Sequence, residues 1–404
     1  MYHKRSIKGR GRLSPRPFRI FGGILLEKIF SVHSEQIKIL RSRNMDIPYA
    51  SDQKSILAKY NYYNLINAYK DPFLYSGSSN IELYKTGTKL SELEALLNFD
   101  TNLRLLFLKE ILKIEEVFKN QIVQSFYSYH LYNNNETSET ERSNLHRDSE
   151  YLRRKYYELT PLYSVHTINN FGIVSTSVSA HYPSQRCTTL DRQSVYDNYI
   201  TTVYRTLGQQ RKNKNDSIKS YLEQHGYIPM WILMNVLTFG NVSHLFTLQK
   251  KEVQLDLIKT LNLNSKPIVS DELSIINTSR ILQILSIYRN ICAHNERFYQ
   301  TKIKVPIDDV FMDFGNKLPN AINPVNRRRL NQAQKKKRMN ARQGIYTLIF
   351  IISLFMDNKE FIRFINEINN EFRGLEKELR TISIDEIKRY MGLNFDWYST
   401  IKSK

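Results

Sequence analysis

The chain lacks most of the residues that build metal clusters, disulfide frameworks and phosphate-binding glycine loops. Its 404 residues include only two cysteines, Cys187 and Cys292, which are too few for a zinc cluster or a set of disulfides. Its histidines form no His-x3-His pair, and its glycines form neither a Walker loop nor a dinucleotide-binding fingerprint. We therefore expect no metal and no cofactor, and so few cysteines fit a reducing cytoplasm.

Apolar runs long enough to cross a membrane are also missing. A strongly apolar stretch at residues 345–356 has only twelve residues, whereas a bilayer needs roughly twenty. The apolar stretch at residues 24–29, behind the basic N-terminus, is short and charged, unlike a secretory signal. We expect a buried helix at 345–356 and a cytoplasmic protein without a membrane partner.

The alternation of apolar and polar residues that strands require is rare in this chain. Helical spacing instead predicts helices at residues 34–42, 53–70, 92–129, 217–225, 227–248, 250–261, 271–299, 341–356 and 359–380. The expected fold class is all-α. We expect a basic extension at residues 1–32, an N-terminal helical module at 33–92 and a helical core at 93–404. That core contains a partly irregular insert at about 133–216 and a basic loop at 323–343.

Acidic residues are too few to balance the cations. There are 39 aspartates and glutamates against 59 lysines and arginines, so the formal net charge is +20, which predicts a polyanionic partner such as nucleic acid. Two runs without acids hold much of the excess, namely Lys4, Arg5, Lys8, Arg10, Arg12, Arg16 and Arg19, and then Arg327, Arg328, Arg329, Lys335, Lys336, Lys337, Arg338 and Arg342. The candidate RNA contacts are the cations of 327–329 and 335–338. The alternative is that both runs are merely solvated.

One helical pattern places an arginine, an asparagine and a histidine together, at Tyr288-Arg289-Asn290-Ile291-Cys292-Ala293-His294-Asn295-Glu296-Arg297. At about 100° per residue, the apolar side chains of residues 281–299 fill one arc of this helix. Arg289, Asn290, His294 and Arg297 fill the opposite arc. The polar group is therefore predicted to face away from the core of its own helix.

Arg289, Asn290 and His294 suit the cleavage of a phosphodiester without a metal. An arginine fork binds phosphate oxygens and spreads charge in the transition state. Histidine titrates near neutrality, so it can take a proton from a ribose 2′-hydroxyl or give one to the departing 5′-oxygen. Asn290 lies one turn before His294 and can hold its ring or the substrate. The expected chemistry is transesterification of RNA to a 2′,3′-cyclic phosphate. The alternative is a solvated helical face with an isolated histidine.

Four upstream blocks accompany this motif in order. They are Ser34-Glu35-Gln36-Ile37 with Leu40-Arg41-Ser42-Arg43; Asn61-Tyr62-Tyr63 through Tyr69 to Pro72-Phe73; Phe99-Asp100 with Leu103-Arg104 and Ile114-Glu115; and Pro229-x-Trp231 with Leu237-Thr238-Phe239-Gly240 and Ser243. Together with the Arg-x4-His spacing they resemble the abortive-infection proteins of the AbiF/AbiD type, within the HEPN superfamily of helical ribonucleases. The resemblance runs from about residue 33 to the end of the motif helix.

This resemblance implies a HEPN-like core and catalytic roles for Arg289, Asn290 and His294, with RNA contacts from Arg297. It also implies a bacterial antiphage or toxin role, in which RNA cleavage arrests the infected cell. HEPN nucleases commonly pair two motifs across a dimer, so a homodimer with a composite site is implied. A toxin of this type needs an antitoxin, and the basic composition of the chain favours an antitoxin made of RNA. The rival interpretation is a non-catalytic RNA-binding protein of a defence ribonucleoprotein complex.

Glu115 is the other candidate site residue. It lies on the apolar side of its predicted helix, where an unpaired carboxylate is costly, so it needs a partner. Arg104, Arg289 and His294 are candidates, and the resemblance places this helix near the motif helix, where Glu115 would orient Arg289. The alternative is a local pair with Arg104 or Lys119. Trp231 is interpreted as structural, because it offers a large apolar area to bury.

Overall fold

The computed structural model describes residues 30–76, 82–183, 187–212, 217–263, 270–312 and 329–402. The basic cluster at residues 4–19 lies outside these ranges, as do Arg327 and Arg328. Helices make up most of the described chain, which confirms the predicted fold class.

The helices are α1 (His33–Ser42), α2 (Ala50–Lys59), α3 (Leu90–Ser128), α4 (Glu139–Asn144), α5 (Asp148–Tyr151), α6 (Arg192–Gln210), α7 (Ser217–His225), α8 (Met230–Leu233), α9 (Phe239–Leu248), α10 (Lys251–Thr260), α11 (Asp271–Ala293), α12 (Asp309–Met312), α13 (Gln332–Gln343), α14 (Ile345–Ser353), α15 (Asn358–Glu378), α16 (Ile384–Met391) and α17 (Trp397–Lys402). The strands are β1 (Leu162–Ile168), β2 (Val174–Ser179) and β3 (Thr188–Leu190).

Helix α3 is the longest element and the centre of the fold. Buried apolar side chains recur along it at three- and four-residue steps, at Leu93, Leu96, Phe99, Leu103, Phe107, Ile111, Ile114, Phe118 and Ile122. Helices α10, α11 and α15 pack against it, and the apolar core is continuous from Ile37 to Ile401. The boundary predicted between residues 92 and 93 therefore falls in the first turn of α3, inside this core.

A buried carboxylate ties the start of α3 to the C-terminal part of the chain. Glu92 accepts hydrogen bonds from the N–H groups of Arg380 at 2.7 Å and Thr381 at 2.8 Å, just beyond α15. It also accepts one from the N–H of Lys89 at 3.2 Å, which caps α3. These donors offset the cost of burying the charge. Glu92 thereby fixes the segment after α15 against the first turn of α3.

The central insert is more ordered than its composition predicts. Strands β1, β2 and β3 form an antiparallel sheet in the order β2-β1-β3, with Val165 opposite Ser177. Gly172 at φ +72° allows the tight turn between β1 and β2. The sheet is followed by α6, a helix of 19 residues that packs on α9. The insert predicted at about 133–216 as partly irregular therefore contains this sheet and α6 as ordered parts.

The basic segment after residue 328 is a helix, so the predicted loop is wrong over the residues of α13. This helix buries Arg338 and Arg342, four residues apart, together with Ala341. Arg338 is 1 % exposed, and its guanidinium donates to the Asp309 carboxylate at 3.1 Å and to the carbonyl of Gly172 at 3.0 Å. Arg342 also pairs with Asp309. The prediction that Arg338 contacts RNA is wrong for this conformation, because its charge is buried and already paired.

The apolar stretch predicted as a buried helix is buried. Every residue of α14 lies in the interior, which confirms the prediction for residues 345–353, whereas residues 354–356 follow the helix and are half-buried. Across the ranges given above, no helix combines the length and the apolarity needed to cross a membrane.

The segment around Trp231 differs from its prediction in two ways. The helix predicted at 227–248 is divided into α8 and α9, and the side-chain hydroxyl of Thr238 caps α9 by accepting from the N–H of Asn241 at 3.3 Å. Trp231 is 50 % exposed and packs against the ring of Tyr127 on α3, with 5.7 Å between ring centroids. Trp231 is therefore a surface residue rather than a core residue.

Candidate active site

The motif helix is shorter than predicted. Helix α11 ends at Ala293 instead of continuing to residue 299. Asn295 has a φ of +58°, in the left-handed region that asparagine tolerates better than most residues. The N–H of Glu296 donates to the carbonyl of Ile291 at 3.1 Å, which gives the helix end a Schellman-type closure. His294 is therefore the C-cap residue that follows the helix, whereas the sequence pattern places it in the middle of a helix.

The three predicted catalytic side chains lie at this end of α11. Asn290 and His294 are exposed, and Arg289 is half-buried. The N–H of His294 donates to the carbonyl of Asn290 at 2.9 Å, so the backbone positions of these two residues are linked by the last helical hydrogen bond. The polar arc predicted from the sequence therefore reaches solvent at all three positions.

On the opposite side of the same helical turn, the side chains belong to the apolar core. Tyr288 packs edge-on against Phe298 at 5.6 Å between centroids, and Phe298 in turn packs against Phe107 of α3 at 4.9 Å. Cys292 is buried beside them, and burial raises the pKa of its thiol to about 12. Since the thiolate is the reactive form, Cys292 is a packing residue, as its place on the apolar arc predicts.

Glu115 is buried on α3, as predicted, and lies between two cations. It is 5 % exposed, and its Oε1 lies 2.7 Å from Nζ of Lys119, one turn later on the same helix. Its Oε2 lies 3.6 Å from Nε of Arg289 on α11. The contact with Lys119 is the local pair given above as the alternative for Glu115. The contact with Arg289 is an ion pair without a hydrogen bond. Glu115 is therefore placed to attract Arg289 while Lys119 holds the carboxylate.

A second buried carboxylate, Asp100 of α3, holds the segment after His294. Asp100 accepts from the backbone N–H groups of Phe298 at 3.1 Å and Tyr299 at 2.7 Å. It also accepts from the hydroxyl of Tyr69 at 2.9 Å and from the guanidinium of Arg104 at 2.8 Å. Burial, followed by the charge of Asp100, raises the pKa of Tyr69, so the phenol stays protonated as a donor. Four donors thus fix one carboxylate against the backbone of the loop.

Arg104 extends this support to the turn that follows His294. Its guanidinium donates to the side-chain oxygen of Asn295 and to the carbonyl of Glu296, the latter at 2.9 Å. Arg104 is therefore the partner of Asp100 and of the turn, and the sequence hypothesis that it pairs with Glu115 is wrong. Asp100 and Tyr69 belong to the sequence blocks given above, but no role was predicted for them. An acid and an arginine four residues apart on the apolar side of α3 were the available signal.

The predicted RNA-binding residues lie in two places. Arg297 is exposed, but its guanidinium also donates to the carbonyl of Ala68 at 3.0 Å and lies 3.7 Å from the carboxylate of Asp71. On and before α13, the exposed cations are Arg329, Lys336 and Lys337, and Lys335 is half-buried. Within the described part of the chain, no group of three or more His, Cys, Asp or Glu side chains is arranged to hold a metal ion.

The fold and this site together define a mostly helical protein that presents an arginine, an asparagine and a histidine at one helix end. A family model described as Abi-like protein matches residues 55–300. This is more than half of the chain, which therefore belongs to the Abi-like family. The matched stretch includes α3, α11 and the turn after His294. No curated protein and no solved structure is significantly similar to the chain.

The two partners of Glu115 allow its roles to be separated. If the site cleaves RNA as the sequence predicts, we expect Glu115→Gln to reduce the cleavage rate by roughly 10- to 100-fold, the usual effect of removing a group that orients a functional residue. Lys119→Met leaves the carboxylate opposite Arg289, so we expect it to lower the melting temperature with a smaller effect on cleavage. The measurements are the cleavage rate at saturating RNA and thermal unfolding. Equal stability losses with unchanged cleavage in both variants would assign Glu115 to the local pair alone.

Proposed function

We propose that this protein is an endoribonuclease that acts in abortive infection without a metal, through Arg289, Asn290 and His294. The observation that carries this proposal is the grouping of the three side chains at one helix end, where Asn290 and His294 are exposed and the half-buried Arg289 lies beside the buried Glu115 carboxylate. Membership of the Abi-like family supports the biological role. The Arg-x4-His motif supports the finer assignment to AbiF/AbiD-type proteins of the HEPN superfamily.

In the proposed reaction the ribose 2′-oxygen attacks the adjacent phosphorus and the bond to the 5′-oxygen breaks. A base removes the 2′-hydroxyl proton, and an acid returns a proton to the departing 5′-oxygen. His294 performs one of these transfers, and Arg289 stabilises the extra negative charge on the phosphoryl oxygens. Asn290 positions the substrate or the imidazole. The products are a 2′,3′-cyclic phosphate and a 5′-hydroxyl.

Each chain supplies one histidine at this site, whereas the reaction uses both a base and an acid. A second copy of the chain would supply the other group, so we propose a homodimer with a composite site. The charge of +20 supports RNA as substrate, with Arg297, Arg329, Lys335, Lys336 and Lys337 as candidate phosphate contacts. Arg327 and Arg328, outside the described residues, stay candidates on sequence grounds. The same basic character supports an RNA antitoxin that restrains the enzyme.

The alternative function is RNA capture without cleavage, as part of a defence ribonucleoprotein complex. The net charge of +20 supports this function as well as cleavage, because positive charge attracts RNA whether or not the RNA is cut. In that case the same surface would bind RNA, and the end of α11 would serve only as a docking point.

One experiment separates the two functions. Purified protein is incubated with total cellular RNA in the presence of EDTA, and the ends of the products are sequenced. We expect cleavage to persist in EDTA and to leave 2′,3′-cyclic phosphates, because arginine and histidine supply the catalytic groups. Intact RNA that stays bound to the protein would support the alternative. Cleavage that EDTA abolishes and Mg²⁺ restores would contradict the proposed mechanism.

A further inference from the structure

A cavity of about 400 Å³ lies between the sheet, α9 and α11. Its size is within the usual range for small-molecule sites, which is roughly 300 to 1,000 Å³. One part of its wall is apolar, with Leu162, Leu190, Ile275, Ile276 and Val305. The charged part is formed by Arg192, Arg280 and Lys304, with no carboxylate among the described residues that line it. The cavity thus combines apolar area with convergent positive charge.

Arg280 is the most informative of these cations. It projects from α11 and is 7 % exposed, yet its guanidinium contacts only neutral groups among the described residues. It donates to the hydroxyl of Thr176 at 3.2 Å and to the ring of His166. The carboxylate of Asp308 attracts Arg280 from a longer distance, but its oxygens accept from the N–H groups of Thr176 and Val310. A buried cation without a paired anion is costly, so an anion is expected beside it.

His166 leaves this charge unbalanced. Burial, reinforced by Arg280, lowers the pKa of His166 to about 4, so the ring is neutral and accepts from the guanidinium. Burial lowers the pKa of Arg280 to about 10, which leaves it charged at neutral pH. Arg192 is equally buried and donates to the carbonyls of Thr160 and Thr247. The positive potential in the cavity is therefore permanent at physiological pH.

We propose that this cavity binds a phosphate-bearing nucleotide, with Arg280 and Lys304 contacting the phosphate and the apolar wall contacting the base. Arginine in a desolvated site forms strong, charge-assisted hydrogen bonds to phosphate oxygens. Arg280 and Arg289 are nine residues apart on α11, which places them on opposite sides of the helix at about 100° per residue. This is a second site, separate from the end of α11, and it does not depend on the proposed nuclease activity.

The test is calorimetric titration of the full-length protein with inorganic phosphate, with AMP, and with a short oligoribonucleotide that carries either a 5′-phosphate or a 5′-hydroxyl. The His294→Ala variant serves as the host protein so that the oligonucleotide is not cleaved. We expect AMP to bind more tightly than phosphate. If the 5′-phosphorylated oligonucleotide binds and AMP does not, the ligand is the 5′-phosphate at an RNA end. Failure of all three phosphorylated probes to bind at millimolar concentrations overturns the proposal.

Two variants link binding to the cavity. Lys304→Gln, at an exposed position, should weaken AMP binding roughly tenfold or more, as expected when a charged hydrogen bond is lost. Lys377→Gln, at an exposed lysine of α15 that does not line the cavity, is the matched control and should bind AMP like the host protein. Equal AMP affinity in the Lys304 variant and the control would mean adventitious binding and would reject the site.

Arg280→Met tests whether the buried cation serves a ligand or the fold. If Arg280 is retained for the anion, the methionine variant should melt at the same or a higher temperature than the ligand-free parent, because an unpaired buried charge is removed. AMP should no longer raise its melting temperature. A lower melting temperature together with retained stabilisation by AMP would show that Arg280 only holds the sheet to α11, and would overturn its role in binding.

Discussion

We expect His294→Ala to abolish RNA cleavage and growth arrest while leaving the protein folded. A positioned acid or base contributes typically 10²- to 10⁴-fold to a rate, so the residual activity should be at or below about one per cent. His294 is exposed at the end of α11, and its removal leaves no cavity in the core. The melting temperature should therefore be close to that of the parent. Cleavage of a defined oligonucleotide and thermal unfolding measure the two effects.

His181→Ala is the matched control, because His181 is also exposed but lies beyond β2. Its cleavage rate and melting temperature should equal those of the parent. Arg289→Ala should lose at least as much activity as His294→Ala, since it removes the charge that stabilises the transition state. A folded His294→Ala protein that cleaves at the parental rate would exclude this residue as the acid or base.

The helix end at His294 shows why part of this site could not be predicted from the sequence. Phe298 and Tyr299 continue the apolar spacing of α11, so the pattern predicts a longer helix. Their backbone N–H groups instead donate to Asp100, which is 198 and 199 residues earlier in the chain. Local spacing carries no information about such a partner. The polar arc of Arg289, Asn290 and His294 depends only on helical periodicity and was predictable.

The basic run and the sheet show two other limits. Arg338 and Arg342 belong to a run of cations, and composition places such residues in solvent. Their burial depends on Asp309, which is 29 and 33 residues earlier. Strand β2 does contain the alternation Val174, Thr176 and Val178, but the intervening serines also suit a turn-rich segment. The helical class was predictable because it depends on many long periodic segments, whereas these features depend on single tertiary contacts.

The second large effect is expected from the pair formed by Asp100 and Arg104. Asp100→Asn removes a buried charge that accepts from two backbone N–H groups, a phenol and a guanidinium. Breaking a buried pair by changing one partner typically costs about 3–5 kcal/mol. We expect a fall of that size in the free energy of unfolding, measured by urea denaturation. Because Arg104 also binds Asn295 and Glu296, cleavage should fall together with stability.

A purely structural role for this pair would lower stability alone, so a second buried pair provides the comparison. Arg338→Gln breaks the contact of an equally buried arginine with Asp309, away from the end of α11. At a temperature where both variants are fully folded, Arg338→Gln should cleave at the parental rate. Arg104→Gln should cleave more slowly, because the turn that carries His294 loses its donors. Equal rates for the two folded variants would show that Asp100 and Arg104 stabilise the protein without positioning His294.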